Sequence, residues 1–344
     1  MSNTHFTLSK SVAIKQYREV KQHCDVVSYS AKTNYDVTPL LRETTDAAFS
    51  IHTESAYQYI QRPGNTTYFP QGWNEDELTR LHEKGVYTYV VENTEDLKTL
   101  RDWTAKHEAS LNVMLRLKLK ENTVKTGKHY VFGMTGDQVN KAITKLKDNP
   151  SVSQLGVHVH RKSQNVAEWG YKDELLQTID EHHWETIDLL NIGGGFPVQY
   201  KNYSRNTWPL ITNRLDEIHA FTKQRDITLI AEPGRIIAAP AGKLHATIRN
   251  VYDSTVVLDC SVYNAAMDTF VTNTRLEIKE ELPEKEGKAY TVKGFTPDSL
   301  DIFRYKARLN NPEKGDTLTF LNATAYNYRS DFCNLPEIPT KIVE

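Results

Sequence analysis

Lys32 closes a short β-type run, Val26-Val27-Ser28-Tyr29-Ser30, and polar residues and an apolar-periodic segment follow it. A lysine at a strand end, where a barrel or sheet opens towards its ligand, can carry a carbonyl cofactor as an imine. Taken by itself it also fits a surface lysine. A second stretch, Leu189-Leu190-Asn191-Ile192-Gly193-Gly194-Gly195-Phe196-Pro197, follows another strand-like run. Backbone without side chains approaches an anion closely and presents N–H groups to it, so Gly193, Gly194 and Gly195 read as a phosphate cradle rather than a plain loop. Packing is not expected to ask for three consecutive glycines. The spaced glycines and downstream acid of a dinucleotide fold are missing.

Ala231-Glu232-Pro233-Gly234-Arg235 ends a third run. A carboxylate and a guanidinium three apart can serve two ends of one ligand. Arg235 suits a phosphate, and Glu232 can hydrogen-bond and protonate a ring nitrogen. The plain alternative is a strand-end turn with a salt bridge. In Gly156-Val157-His158-Val159-His160-Arg161, alternation puts His158 and His160 on one face. His158 can lie against a flat ring, or serve as a packing residue. No carboxylate or third ligand stands at metal-binding spacing from the pair, so no metal is expected. Arg116, inside the apolar run Met114-Leu115-Arg116-Leu117, is a charge that needs a partner.

The elements that must position these residues alternate. Candidate strands are Val26–Ser30, Ala48–His52, Thr66–Phe69, Tyr87–Val91, Val113–Leu119, Leu155–His160, Ile187–Ile192 and Thr228–Ala231. Between them lie amphipathic segments such as Asn74–Lys84, Glu95–Lys106, Gly136–Lys147, Asp173–His182 and Trp208–Lys223. Asn74, with Glu77 three residues on, resembles a capping box. Several strands are apolar throughout, as parallel strands buried on both faces are. The pattern predicts an α/β chain whose residues 25–240 form a (β/α)8 barrel. After Pro240, β-type runs at Lys243–Val251, Ser254–Asp259, Arg275–Ile278, Ala289–Val292 and Thr317–Leu321 predict a mostly antiparallel β domain of residues 241–344. Residues 1–24 are expected to join that domain.

The chain's 344 residues suit a barrel of ~250 residues plus a further module. Net charge is −2, which offers no general attraction to nucleic acid or a membrane surface, so neither is expected as a partner. Cys24, Cys260 and Cys333 are widely spaced and suggest neither a disulfide framework nor a zinc site. Met1 to Lys10 lacks the apolar core of a signal peptide, and no run approaches the ~18 apolar residues of a membrane helix. A reducing cytoplasm is the expected location.

Together and in this order, the strand-end lysine in Tyr29–Asn34, Gly193–Pro197, Glu232–Arg235 and the Gly315-Asp316…Ala325-Tyr326 tail resemble the pyridoxal-phosphate decarboxylases of the ornithine, diaminopimelate and arginine decarboxylase family, which share an alanine-racemase-like fold. The resemblance covers about Tyr29 to Asn334. It implies pyridoxal 5′-phosphate as cofactor, Lys32 as the residue that forms its imine, and His158 stacked on its ring. Arg116 would lie behind it. Gly193, Gly194, Gly195, Gly234, Arg235 and Tyr326 would hold its phosphate end, and Glu232 would pair with its pyridine nitrogen. Asp298, in Gly294-Phe295-Thr296-Pro297-Asp298-Ser299-Leu300-Asp301, would be offered to substrate from the other subunit of a homodimer with shared active sites. The implied reaction is α-decarboxylation of an amino acid or carboxylated amine, releasing CO2 and an amine. A catalytically silent homologue that binds a protein partner, and a racemase of the same fold, are the alternatives. Glu232 speaks against the racemase, whose ring nitrogen usually faces an arginine.

Four departures from the family pattern bear on substrate. Pro297 stands where the family has a cysteine linked to reprotonation. Val131-Phe132-Gly133 replaces Lys-Phe-Gly. The usual serine region reads His160-Arg161-Lys162-Ser163. Thr272 falls near the acid that reads a distal ammonium in ornithine and lysine decarboxylases, with Asp268 close enough to substitute. With Thr272 there, the substrate tail is expected to differ from a simple diamine, leaving room for a carboxylated polyamine or a carboxyl-bearing aminopropyl group.

Overall fold

The computed structural model describes residues 3–119, 131–204, 206–327 and 332–344. They divide into two compact units. One comprises Tyr17–Phe196 and Asn206–Gly234, the other Met1–Gln16, Pro197–Arg205 and Arg235–Glu344. The chain passes between units more often than the sequence-based division at residues 24 and 240 supposes.

Strand β1 (His5–Ser9) and helix α1 (Lys10–Lys21) come first. Then follow β2 (Val26–Ser30), α2 (Val37–Thr44), β3 (Ala48–Ile51), α3 (Tyr57–Ile60), β4 (Thr66–Tyr68), α4 (Glu75–Glu83), β5 (Thr88–Val91) and α5 (Thr94–His107). The alternation continues with β6 (Leu111–Arg116), α6 (Gly136–Leu146), β7 (Val152–His158), α7 (Tyr171–Thr178), β8 (Leu189–Asn191), α8 (Trp208–Lys223) and β9 (Thr228–Ala231). Strands β2 to β9 are all parallel and close into an eight-stranded barrel, with β2 paired to β9. Phe69, Val90, Met114, Leu189 and Ile230 fill its interior. Gly156 makes room for them, since a β-carbon there would lie 2.7 Å from that of Leu189. Two of these helix starts, those of α4 and α6, are capped by side chains. Asn74 Oδ1 accepts from the amides of Asp76 (2.9 Å) and Glu77 (3.4 Å), and Thr135 and Gln138 form a reciprocal capping box.

In the other unit, α9 (Arg235–Ala241) leads into β10 (Gly242–Tyr252) and β11 (Thr255–Leu258). The short helices α10 (Val262–Ala265) and α11 (Met267–Val271) precede β12 (Lys288–Lys293), β13 (Ile302–Leu309), β14 (Thr317–Phe320) and β15 (Thr340–Val343). The sheet runs β13-β12-β11-β10-β1-β15, and β14 also pairs with β10. Only β1 with β15 and β11 with β12 pair in parallel, so the sheet is mostly antiparallel, as expected. Leu244, Ala246 and Ile248 alternate inward along β10. One expected strand is absent: Arg275–Ile278 makes a single bridge, Ile278 to Phe320. Its beginning is held elsewhere, for the Arg275 carbonyl accepts from Lys201 N–H (2.8 Å) and the Arg275 amide donates to Asn202 Oδ1 (2.8 Å). Among the described residues, no helix is long and apolar enough to cross a membrane.

Candidate active site

The C-terminal ends of the barrel strands are brought level by their register. Arg116 of β6 stands opposite His158 of β7, and His158 opposite Asn191 of β8. Each polar residue ends an otherwise apolar run, at the barrel face where such folds build sites. Glu232, just beyond β9, receives three donors. Ser50 Oγ (2.7 Å) and Asn191 Nδ2 (3.0 Å) donate to Oε1, while His158 Nε2 lies 3.2 Å from Oε2. Burial alone would raise the carboxyl's pKa; the His158 contact, with Ser50 and Asn191, outweighs it and holds the pKa down at about 2. Glu232 is therefore an ionised carboxylate inside the barrel. Arg116 has the partner its position demanded, a buried ion pair with Glu92, whose other oxygen accepts from the Gly133 amide at 3.0 Å.

Lys32 lies in a single 3-10 turn, Ala31–Thr33, directly after β2. The Ser30 amide donates to the Pro233 carbonyl at 3.1 Å, which joins this turn to the one after β9. Gly234 is required there, since a β-carbon would strike the Thr33 hydroxyl. The Lys32 side chain reaches solvent and makes no hydrogen bond or ion pair among the described residues. Its surroundings nevertheless lower its pKa. Desolvation is the main cause, Glu232 opposes it, and the Arg116 charge adds to it. The same field reaches two more histidines. Burial first, then the Lys32 charge, pull His52 down to about 3, and burial with Arg116 keeps His160 well below its ordinary value.

The two histidines at the end of β7 differ in exposure. His158 is 1% exposed and bonded to Glu232, so its ring is enclosed, set edge-to-face with Phe69 at 5.2 Å between ring centres. His160, parallel to it with ring centres 6.5 Å apart, is the one with open surface. His160 Nδ1 accepts from the Gly194 amide at 3.1 Å, which leaves Nε2 to carry the proton of the neutral ring.

One expectation, that packing does not require the triple glycine, is corrected. Added β-carbons would lie 2.5 Å from the Val159 carbonyl oxygen at Gly193, 2.6 Å from that of Glu232 at Gly194, and 2.7 Å from that of Lys162 at Gly195. Gly193 and Gly195 also have φ of +64° and +96°. Gly193 N–H bonds Asn191 Oδ1 and Gly194 N–H bonds His160, whereas the amides of Gly195 and Phe196 have no partner among the described residues. These last two are the anion donors the loop can offer.

In the other unit, Arg235 is 4% exposed and paired with the equally buried Asp268. It also donates to Tyr200 Oη at 3.2 Å and lies over the Tyr326 ring, 4.9 Å from its centre. Asp268 is thus engaged by Arg235 and by Thr272, whose Oγ1 lies 3.0 Å from Oδ1. Asp298 is half-buried; Tyr263 Oη donates to it at 3.0 Å and the Leu300 amide at 2.8 Å. Reading the sequence missed Ser50, His52, Glu92 and Asn191. For Ser50 and Asn191 a signal was present, since each interrupts an apolar strand as Arg116 does.

The donor set fits pyridoxal phosphate: an unpartnered amine with lowered pKa, an ionised carboxylate for a ring nitrogen, and two unengaged amides beyond β8. Buried polar atoms without partners, His52 Nδ1 and His158 Nδ1, mark the same barrel end as built for something polar.

Comparison with known proteins agrees. Residues 46–239 match the family described as "Pyridoxal-dependent decarboxylase, pyridoxal binding domain". Diaminopimelate decarboxylase of Pseudomonas aeruginosa is 26% identical over 282 residues, covering 77% of this chain and 67% of that protein. The enzyme of that name from Methanocaldococcus jannaschii is 24% identical over 343 residues, covering 91% and 77%. The chain spans about two thirds of the length of the first such relatives, 67%, 66% and 65%. In fold it is similar to lysine/ornithine decarboxylase from Vibrio vulnificus, with a TM-score of 0.81 at 20% identity over 99% of this chain and 94% of that one. By the match that spans more than half its length, the chain belongs to the pyridoxal-dependent decarboxylases, a family whose cofactor is pyridoxal phosphate.

Proposed function

We propose that this protein is a pyridoxal-phosphate-dependent α-decarboxylase of an amino acid or carboxylated amine. The observation that carries the reading is the pairing, at one barrel end, of an accessible lysine with lowered pKa and a buried carboxylate held ionised by three donors. Pyridoxal phosphate supplies an aldehyde for amines and an electron sink for the pair left when CO2 departs. Lys32 anchors that aldehyde between turnovers, and its lowered pKa keeps more of it in the neutral, nucleophilic form. Glu232 holds a proton at the ring nitrogen, where electron demand is greatest. His160, the ring with open surface, would lie against the cofactor in place of His158, while His158 bonds Glu232. Gly195 and Phe196 amides bind the phosphate; Arg235 and Tyr326 are further phosphate ligands on the strength of the resemblance. A homodimer offering Asp298 to its partner, and a reducing cytoplasm as its location, belong to the same proposal.

For the substrate tail, the engagement of Asp268 by Arg235 and Thr272 supports a group other than a simple ω-ammonium. CO2 release is to be measured across amino acids, diamino acids and carboxylated polyamines with saturating pyridoxal phosphate. Turnover that disappears in Lys32→Ala, with loss of the cofactor's visible absorbance, supports the reading. Bound cofactor without CO2 from any substrate favours the silent homologue. Solvent deuterium entering Cα without CO2 release favours a racemase, and no cofactor binding at all sinks all three.

A further inference from the structure

Asn191 ends β8 with no exposed surface, and both faces of its amide are engaged. Nδ2 donates to Glu232 Oε1 at 3.0 Å, and Oδ1 accepts from the Gly193 amide at 2.8 Å. The orientation is fixed by chemistry. A flipped amide would set its oxygen against a carboxylate oxygen and its NH2 against an N–H. The same two segments are tied again by the backbone, where Glu232 N–H donates to the Gly193 carbonyl at 2.8 Å. One side chain thus connects the carboxylate proposed for the ring nitrogen to the first residue of the loop proposed for the phosphate. Neither Leu, with no polar atoms, nor Asp, with no donor, can make both bonds. A buried amide with both ends satisfied has only one position, which makes it a rigid spacer.

We propose that Asn191 is a positioning residue that couples the two ends of the cofactor site, setting the separation between the Glu232 carboxylate and the glycine loop. This inference rests on the proposed function and deepens it. When Asn191 is in place, a ligand that satisfies one end finds the other correctly spaced. Without it, each end binds more independently, so the phosphate adds less to affinity.

The test compares two ligands, pyridoxal phosphate and pyridoxal, which lacks the phosphate. Dissociation constants are measured by protein fluorescence quenching for the wild type, for Asn191→Leu, close in volume, and for Asn191→Asp, which keeps the acceptor for Gly193 and loses the donor to Glu232. In the wild type, pyridoxal phosphate is expected to bind far more tightly than pyridoxal. The expected result is that this ratio shrinks by about tenfold in both variants, a coupling of ~1.4 kcal/mol. A merely structural role would weaken both ligands equally and leave the ratio alone, and that outcome overturns the inference while the proposed function survives. A wild type that binds neither ligand overturns the proposed function itself. If the Leu variant fails to fold, the ratio in the Asp variant decides.

Discussion

His158 Nε2 lies 3.2 Å from Glu232 Oε2, and this contact, with those of Ser50 and Asn191, turns a buried carboxyl into an anion. The Glu232 pKa is depressed from 4.5 to about 2, so its contribution to stability is fully present above pH 4.5 and is lost as pH falls towards 2. His158→Ala removes one donor and lets burial push the pKa back up. The acid-unfolding midpoint, followed by tryptophan fluorescence, is expected to move to higher pH. An unchanged midpoint would show that His158 does not hold Glu232.

For Lys32 the sign is reversed. Its folded pKa lies below the ordinary 10.5, so the unfolded chain binds more protons across that window and stability rises with pH through it. Lys32→Met removes a desolvated amine from the cofactor-free protein. The thermal midpoint at pH 7 is expected to rise by up to about 2 °C, while CO2 release disappears. A fall in midpoint would contradict the account of Lys32 as a residue held at a cost for function.

Arg116 and Glu92 are a buried pair, with side chains 12% and 5% exposed. Arg116→Met leaves the Glu92 carboxylate buried with only the Gly133 amide, and should destabilise by about 3 kcal/mol. Adding Glu92→Gln should recover part of that loss. Denaturant titration of the single and double variants measures both, and a double variant as unstable as the sum of its parts would refute the pairing.

Asp268→Ala isolates the Arg235 guanidinium in a site where it is 4% exposed. A loss of about 3–5 kcal/mol is expected for breaking such a pair. Preference among substrate tails is expected to stay as it was, because Arg235 and Thr272 already engage the Asp268 carboxylate. A changed preference in competition assays would return Asp268 to the substrate.

The barrel was legible because short, largely apolar runs alternate with amphipathic segments. Val26–Ser30 and Thr228–Ala231 coincide with β2 and β9, and Trp208–Lys223 with α8. Strand β13 was hidden by its charges: Arg304, Lys306 and Arg308 interrupt any alternation, and buried Arg304 is explained by partners distant in sequence, Glu281 at 2.7 Å and the Leu276 carbonyl at 3.0 Å. Strand β15 has four exposed residues, so no apolar face announced it. In the site, Lys32 and Glu232 stood out by residue type. Alternation placed His158 and His160 on one face, yet two residues advance a strand by about 6.6 Å, and only the structure shows which ring is at the mouth. Ser50 and Asn191 act on Glu232 from other strands, β3 and β8, and no local spacing encodes that.

The Gly133 amide on Glu92 has a consequence for loop engineering. The chain leaves β6 past Arg116 and returns at Gly133, where the Met134 amide bonds the Arg116 carbonyl at 2.8 Å and the Lys118 amide bonds the Met134 carbonyl at 2.8 Å. Departure and return are pinned to each other by two backbone bonds and to Glu92, which serves both Arg116 and the Gly133 amide, so Glu92, Gly133 and Met134 are anchors that any engineering beside β6 must keep.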